Sequence, residues 1–251
     1  MSARLRRWWG ANWPILLAAT AGIVGGGIAI HVAGGDESAG GRTQIEATVH
    51  DYILAHPEII PEAMDRLRQN QAAKAIGGER QALETPYAGA WAGAEKGDVT
   101  LVMFSDYACG YCRVSAPDID RLIASDPKLK VVWREIPVLG PPSVQAARVA
   151  LAAAKAGGYL RFHRSMFASG RPDAAAIGAA SRAGGLDPGK LAQAAAAPDI
   201  AHEIEANLTL AGKLGIGGTP AFVVGDQLLN GSIGYDALAK AVAAARASRT
   251  G

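Results

Sequence analysis

Cysteine is scarce in this chain: its 251 residues include two, Cys109 and Cys112, spaced as Cys-x-x-Cys. A structural zinc site usually takes four protein ligands. Two histidines would have to complete it, and the candidates beyond residue 40 show no ligand-like spacing: they are His50, His56, His163 and His202. A permanent disulfide would close so short a loop that it would constrain little of the unfolded chain. We therefore favour a redox-active pair and leave Cu(I) capture by two thiolates open as a side activity.

The chain also lacks a strong excess of either charge: 25 basic and 23 acidic residues give a net charge of +2. No run of Lys and Arg interleaved with aromatic residues occurs beyond the first seven positions. Nucleic-acid-binding proteins usually carry such a basic patch, which gives them electrostatic affinity for phosphates. We therefore expect no nucleic-acid partner.

Acidic residues are absent from the first 35 positions. Three arginines within the first seven residues precede an almost entirely apolar run at 14–32, and the stretch from Gly10 to Gly35 carries no charge apart from a protonatable His31. At 1.5 Å per residue, a helix of this length spans the ~30 Å hydrocarbon core of a bilayer. Basic residues stay on the cytoplasmic side, so we predict a single-pass signal anchor in a bacterial inner membrane, with the bulk of the chain in the periplasm. Cleavage, which would release a soluble periplasmic protein, is the alternative.

The cysteine pair follows a run that predicts a β-strand and precedes one that predicts a helix. Val99–Phe104 is apolar and β-branched, whereas 114–124 carries apolar residues at helical intervals. A thiol in the first turn of a helix faces unpaired N–H groups and the positive end of the helix dipole, which favour the thiolate. We therefore predict that Cys109 is the attacking sulfur. Cys112 lies on the same helical face, further from the helix end, and is predicted to be the buried resolving thiol.

Several segments together resemble the thioredoxin superfamily and, within it, the DsbA-like periplasmic thiol-disulfide oxidoreductases. They are Asp106–Cys112, Ile136–Gly140 with Ser143, Phe162-His163 and Gly217–Val224. The resemblance extends from about Asp98 to the C-terminus. It implies an α/β thioredoxin fold with an inserted helical domain.

The same resemblance assigns roles to residues around the cysteines. It implies that Thr219 and Pro220, joined by a cis peptide bond, face the pair and hold an extended substrate. It also implies that Gly110 and Tyr111 tune the first thiol by shaping the turn around its sulfur.

Met103 departs from the pattern, because many members of the family carry a buried Glu at this position. Proton transfer involving Cys112 must then use another group, water or no dedicated group. Asp106 and Glu135 are the nearest acidic candidates along the sequence. For each of them, a solvated or structural carboxylate is the alternative interpretation.

Two amphipathic helices are predicted ahead of the catalytic region. Thr43–Ala55 begins with a capping-box pattern in which Thr43 is the N-cap, and Glu62–Glu84 follows Pro61. Their sequence resembles the N-terminal extension of the ScsC-like (suppressor of copper sensitivity) branch, which forms the oligomer in some of those proteins. The alternative is a solvated stalk with one face resting on the core domain.

These observations predict four regions. Residues 1–33 form a cytoplasmic basic tip and signal anchor, 34–42 a linker, 43–84 a helical extension and candidate oligomerisation segment, and 85–251 a thioredoxin-like catalytic domain. Five alanine-rich segments predict a helical insertion at about 143–214. A strand at 130–136, a hairpin at 221–229 and a final helix at 235–247 complete the predicted domain.

The predicted function is thiol-disulfide exchange on periplasmic proteins through the Cys109-Gly-Tyr-Cys112 pair. We expect a disulfide isomerase or an oxidase. A dedicated reductant of one client, and a Cu(I)-binding or chaperone-like module, are the alternatives. The expected partners are cysteine-containing client proteins, a membrane or periplasmic redox partner and further copies of the chain, with no cofactor and no metal.

Overall fold

The computed structural model describes residues 41–249. The predicted membrane segment at 14–32 lies outside this range. Among the described helices, none combines the length and the hydropathy that crossing a membrane requires. The chain divides into two compact units, with the boundary between Asp65 and Arg66.

The N-terminal helices begin earlier than the sequence predicts. Residues 41–55 are helical and form α1, so Thr43 lies inside the helix and the prediction that it is the N-cap is wrong. The second helix, α2, is Ile59–Glu84 and includes Pro61 in its first turn. A proline is tolerated there because the first N–H groups of a helix have no acceptor within the helix.

A five-stranded mixed sheet forms the centre of the second unit, in the order β1-β3-β2-β4-β5. β2 and β3 run parallel, and the other neighbouring pairs run antiparallel. The strands are β1 (Trp91–Gly93), β2 (Val99–Ser105), β3 (Leu129–Glu135), β4 (Ala221–Val224) and β5 (Gln227–Asn230). β1 was beyond sequence prediction because three residues are too few to show a periodicity, and its pairing with β3 defines it.

Helices surround this sheet, and five of them, α4 to α8, occupy the chain between β3 and β4, where the helical insertion is predicted. The helices after α2 are α3 (Gly110–Ser125), α4 (Pro141–Lys155), α5 (Tyr159–Ser169), α6 (Ala174–Ala183), α7 (Pro188–Ala194), α8 (Pro198–Lys213) and α9 (Tyr235–Ser248). This arrangement confirms the predicted α/β thioredoxin-like fold.

The two faces of the sheet pack against different helices because successive side chains of a strand point to opposite faces. Along β2, Leu101 and Met103 belong to one buried cluster, which also contains both cysteines. Val102 and Phe104 belong to a second cluster, which contains Ile76 from α2. The cysteine pair therefore lies over the first face, together with apolar residues of α3, α5 and α9.

Candidate active site

Cys109 is the N-cap of α3, one residue before the first helical turn in which the sequence places it. Its Sγ accepts a hydrogen bond from the backbone N–H of Cys112, with 3.4 Å between the two atoms. A sulfur at an N-cap occupies the place where a side-chain oxygen usually satisfies an unpaired N–H of the first turn. Both cysteines are thiols, and their exposed fractions are 6% for Cys109 and 0% for Cys112.

Thr219 acts on both sulfurs. The Cys109 thiol donates a hydrogen bond to the Thr219 carbonyl oxygen at 3.2 Å, and the Thr219 side chain lowers the pKa of Cys112 because it favours the thiolate. The Thr219–Pro220 peptide bond is cis, which confirms that part of the prediction. The contact arises because β4 pairs antiparallel with β2, so that the residues just before β4 lie beside the turn just after β2.

The surroundings of Cys112 disfavour the ionised form of its thiol. Burial raises the pKa of its thiol, because the charged thiolate loses hydration. Hydrogen bonds from the backbone of Asp106 and from the side chain of Thr219 act in the opposite direction, because they favour the thiolate. Cys112 is therefore a thiol whose few polar contacts all come from the turn after β2 and from Thr219.

The two residues between the cysteines differ in exposure. The Tyr111 side chain is 69% exposed. A β-carbon added at Gly110 would meet no atom within 4 Å. The outer side of the redox turn is therefore open, with an aromatic ring available to a partner.

Asp106 holds this turn against the loop after β3. Its Oδ1 accepts the Ala108 N–H at 2.8 Å, and its Oδ2 accepts the N–H groups of Val138 and Leu139 at 2.8 and 2.9 Å. Asp106 as a whole is 1% exposed to solvent. Asp106 is therefore a buried structural carboxylate, in line with the alternative interpretation of this residue, and its part in proton transfer stays a prediction.

Glu135 is fully buried at the end of β3 and is likewise not solvated. Its Oε1 accepts hydrogen bonds from the hydroxyls of Tyr107 at 2.8 Å and Tyr159 at 2.6 Å. Burial raises the pKa of Glu135 to about 7, although both tyrosine bonds favour the carboxylate. The carboxyl group therefore changes its charge near neutral pH.

His163 lies buried within the same cluster, whereas His202 is at the surface. The Nδ1 atom of His163 is 2.9 Å from the Tyr107 hydroxyl and 4.0 Å from Glu135 Oε1. Burial lowers the pKa of His163 to about 3, so the ring is neutral. Sequence reasoning missed this cluster because its members are far apart along the chain, and the clue available was two tyrosines in otherwise apolar segments.

Met103 is buried under the redox pair, with an exposed fraction of 0%. It is paired with Trp133 on β3 and with Phe222 on β4. An apolar side chain therefore lies at the position where the resemblance implies a buried acid. Within residues 41–249, no group of three or more His, Cys, Asp or Glu side chains could hold a metal ion.

Comparisons with known proteins match two family models to this chain. Residues 100–243 match the DSBA-like thioredoxin domain. Residues 42–74 match the copper resistance protein ScsC N-terminal domain. The first match contains the whole site described above, and the second covers α1 from residue 42 and the first part of α2.

The chain is also similar to solved thioredoxin-like and ScsC structures and to part of two curated antiporters. A thioredoxin-like oxidoreductase from Silicibacter pomeroyi is 40% identical, with a TM-score of 0.64, over 66% of this chain and 97% of that one. Proteus mirabilis ScsC in a transitional conformation is 30% identical, with a TM-score of 0.65, over 84% of this chain and 99% of that one. The Na(+)/H(+) antiporter NhaA 3 of Salinispora tropica is 30% identical over 161 residues, which are 62% of this chain and 24% of that protein. The chain thus spans about a quarter of the length of the curated relatives that it matches.

Proposed function

We propose, on the premise that this chain belongs to the DSBA-like thioredoxin domain family, that it catalyses thiol-disulfide exchange on cysteine-containing client proteins. It is an oxidoreductase of the DsbA/ScsC type. The observation that carries the proposal is the contact between the Cys109 thiol and the Thr219 carbonyl at 3.2 Å. The contact supports the proposal because the N-terminal sulfur of the pair lies beside the backbone of Thr219, which we propose as the edge that binds a client segment.

The exchange proceeds through a mixed disulfide. In the oxidising direction, a client thiolate attacks Cys109 Sγ, and the bond between Cys109 and Cys112 breaks. Cys112 leaves with the electron pair and then takes up a proton, which its raised pKa favours. A second client thiolate attacks the client sulfur of the mixed disulfide and releases Cys109 as a thiolate. The client is oxidised by two electrons and the pair is reduced by two.

The roles of the individual residues follow from their positions. Cys109 forms the mixed disulfide in both directions: its disulfide is attacked by the client in the oxidising direction, and its thiolate is the nucleophile in the reducing direction. Cys112 resolves the mixed disulfide in the reducing direction. Thr219 and Pro220 hold the client segment, with the backbone of Thr219 as a hydrogen-bonding edge. Gly110 leaves room for the client, and the exposed Tyr111 ring contacts it.

We propose that the protein acts as a disulfide isomerase or as an oxidase. A dedicated reductant of one client is the alternative. The helical N-terminal unit supports an oligomeric isomerase, because it exposes apolar side chains at helical spacing. These side chains, all about half exposed or more, are Ile45, Val49, Tyr52, Leu54, Ile60 and Met64. Burial of this surface between copies of the chain would stabilise a homo-oligomer by the hydrophobic effect.

Refolding of ribonuclease separates these functions. The reduced protein is added to scrambled ribonuclease to measure isomerisation, and the oxidised protein is added to reduced, unfolded ribonuclease to measure oxidation. Cys109→Ser is expected to abolish both activities. A chaperone-like module would still suppress aggregation of the client in the Cys109→Ser variant, and retained refolding activity would contradict the proposal.

Localisation is proposed from the sequence of the first 33 residues together with the family. The anchor at 14–32 keeps the chain in the inner membrane, and the catalytic domain faces the periplasm. A phosphatase fused to the C-terminus is expected to be active, and the chain is expected to stay in the membrane fraction after an alkaline wash. Release into the soluble periplasmic fraction would show cleavage instead.

A further inference from the structure

A buried carboxyl group without a counter-cation lies directly behind the redox turn. Glu135 is 0% exposed, and its Oε2 atom has no hydrogen-bond partner in the described structure. Its neighbour Arg134 pairs with Glu203 instead, at 3.0 Å. Burial of an unpaired carboxylate is unfavourable, so the residue has no evident role in stability.

The groups that face Glu135 come from four elements. Asp106 and Tyr107 lie in the turn after β2, and Tyr159 and His163 lie on α5. From α8, the Asn207 side-chain amide donates to the backbone carbonyl of Glu135. On β2, Ser105 is the residue paired with Glu135 in the sheet. Asp106 is the one other acidic group among them, and its negative charge acts to keep Glu135 protonated. His163 is neutral, because burial lowers its pKa to about 3.

The hydrogen positions in this cluster follow from its donors and acceptors. The hydroxyl protons of Tyr107 and Tyr159 both point to Glu135 Oε1. While Glu135 is ionised, neither hydroxyl has a proton left for His163. The neutral ring then carries its hydrogen on Nδ1, which lies 2.9 Å from the Tyr107 oxygen and 3.3 Å from the Tyr159 oxygen. Each hydroxyl proton then has one acceptor, and ionisation of Glu135 strengthens both tyrosine bonds by charge assistance.

Tyr107 connects this cluster to the nucleophile. It lies between Asp106 and Ala108 in the turn that leads to Cys109, and the Asp106 carbonyl accepts the Cys109 N–H at 3.0 Å. Asp106 holds one side of the turn, and the Tyr107 hydroxyl holds the other through Glu135. A change in the Tyr107 bond therefore acts on the position of the Cys109 sulfur.

We propose that Glu135 is a positioning residue for the redox pair: its carboxylate, acting through the Tyr107 hydroxyl, fixes the turn that carries Cys109. This inference rests on the proposed thiol-disulfide exchange. The helical insertion takes part, because Tyr159 and His163 on α5 hold the far side of the same carboxyl group. Since burial raises the pKa of Glu135 to about 7, the turn is held most firmly above neutral pH.

The test is the pH profile of exchange in the full chain. The reduced protein is mixed with oxidised glutathione, and the rate constant is divided by the thiolate fraction of Cys109, measured separately by its ultraviolet absorbance. The variants are Glu135→Gln, Tyr107→Phe, Tyr159→Phe and, as a matched control, Tyr87→Phe. Tyr87 also donates to a carboxylate, Asp199 at 2.7 Å, but at an exposed site.

Glu135→Gln resembles the protonated carboxyl group, so its normalised rate is expected to equal that of the wild type at pH 6. At pH 8 it is expected to fall about tenfold below the wild type, because the turn is less well held. Tyr107→Phe removes the bond altogether, so we expect a deficit at pH 8 at least as large as that of Glu135→Gln and a smaller deficit at pH 6. The double variant is expected to be no slower than Tyr107→Phe alone. In Tyr159→Phe, the rise of the normalised rate with pH is expected to occur at a higher pH than in the wild type. The reason is that a hydrogen bond that favours the Glu135 carboxylate is lost.

A deficit of the same size at every pH would overturn the proposal, because it would indicate a merely structural role. Equal rates for Glu135→Gln and the wild type at pH 8 would overturn it as well, as would a loss of the same size in Tyr87→Phe. A wild type that does not exchange with glutathione in a Cys109-dependent manner would instead reject the proposed function. Circular dichroism of each variant shows whether it is folded, and the isosteric Glu135→Gln and Tyr107→Phe changes provide two independent measurements.

Discussion

Cys109 and Thr219 are 110 positions apart in the chain, yet the thiol of one donates a hydrogen bond to the carbonyl of the other. The Thr219 side chain also favours the Cys112 thiolate. The residue before the cis proline thus influences both sulfurs. This relationship makes Thr219 a part of the thiol chemistry as well as of the proposed client-binding edge.

The two cysteines are expected to behave differently when replaced singly. Cys112→Ser leaves the nucleophile in place but removes the resolving sulfur, so a mixed disulfide between Cys109 and the client should accumulate. Cys109→Ser should form none, because the remaining thiol is fully buried. Non-reducing electrophoresis after incubation with a disulfide-containing client checks both outcomes. Accumulation of the adduct through Cys112 would contradict the assignment.

Thr219→Val removes the hydroxyl and keeps the shape and the backbone carbonyl. The hydroxyl bond favours the Cys112 thiolate, so the variant should resolve mixed disulfides more slowly, by about tenfold for a bond of ~1.4 kcal/mol. The rate is measured by quenched alkylation after a mixed disulfide has been formed on Cys109. Thr209→Val, at an exposed position of α8, is the matched control and should leave the rate unchanged.

Asp106→Asn tests the clamp between the redox turn and the loop after β3. The carboxylate accepts three backbone N–H groups, and an amide can accept at one oxygen only. We expect a loss of about 1–3 kcal/mol in the free energy of unfolding, because at least one buried donor loses its partner. Asp120→Asn is the control, because Asp120 pairs with Arg164 at a partly exposed site where an ion pair contributes at most about 1 kcal/mol. Equal effects of the two changes would contradict the clamp.

Glu135 predicts how stability depends on pH. Burial raises its pKa in the folded chain to about 7 from the ordinary value of 4.5, so the folded state binds the proton more tightly than the unfolded state. Its contribution is therefore fully present below about pH 4.5 and is lost as the pH rises through 7. Glu135→Gln should be close to the wild type in stability at pH 4.5 and more stable above pH 7, by on the order of 3 kcal/mol.

Urea unfolding at both pH values, followed by far-ultraviolet circular dichroism, measures this difference. A Glu135→Gln variant that is destabilised above pH 7 would show that the carboxylate has a favourable partner. Tyr87→Phe serves again as a control for the loss of a tyrosine bond elsewhere. If Glu135→Gln is more stable than the wild type above pH 7 but exchanges more slowly there, the Glu135 carboxylate serves exchange at the expense of stability.

The sequence by itself determined the elements in which neighbouring residues cooperate. The strand before Cys109, the helix after it, the hairpin at 221–230 and the final helix all have their own apolar periodicity and turn residues, and the structure confirms them. The predicted N-cap at Thr43 was wrong because that residue lies inside α1, and α2 begins at Ile59, three residues before the predicted start. Helix ends are the part of an element that local patterns specify least well. The four-region division and the roles of the site residues stay predictions.

Tertiary structure alone decided what surrounds the sulfurs. The pairing of β4 with β2 brings Thr219 to Cys109, and the pairing of β1 with β3 creates a strand that has no periodicity of its own. The Glu135 cluster joins β3, the redox turn and α5, and its raised pKa arises from burial that no local pattern encodes. Local periodicity specifies elements, whereas hydrogen bonds and desolvation between distant segments depend on how those elements pack.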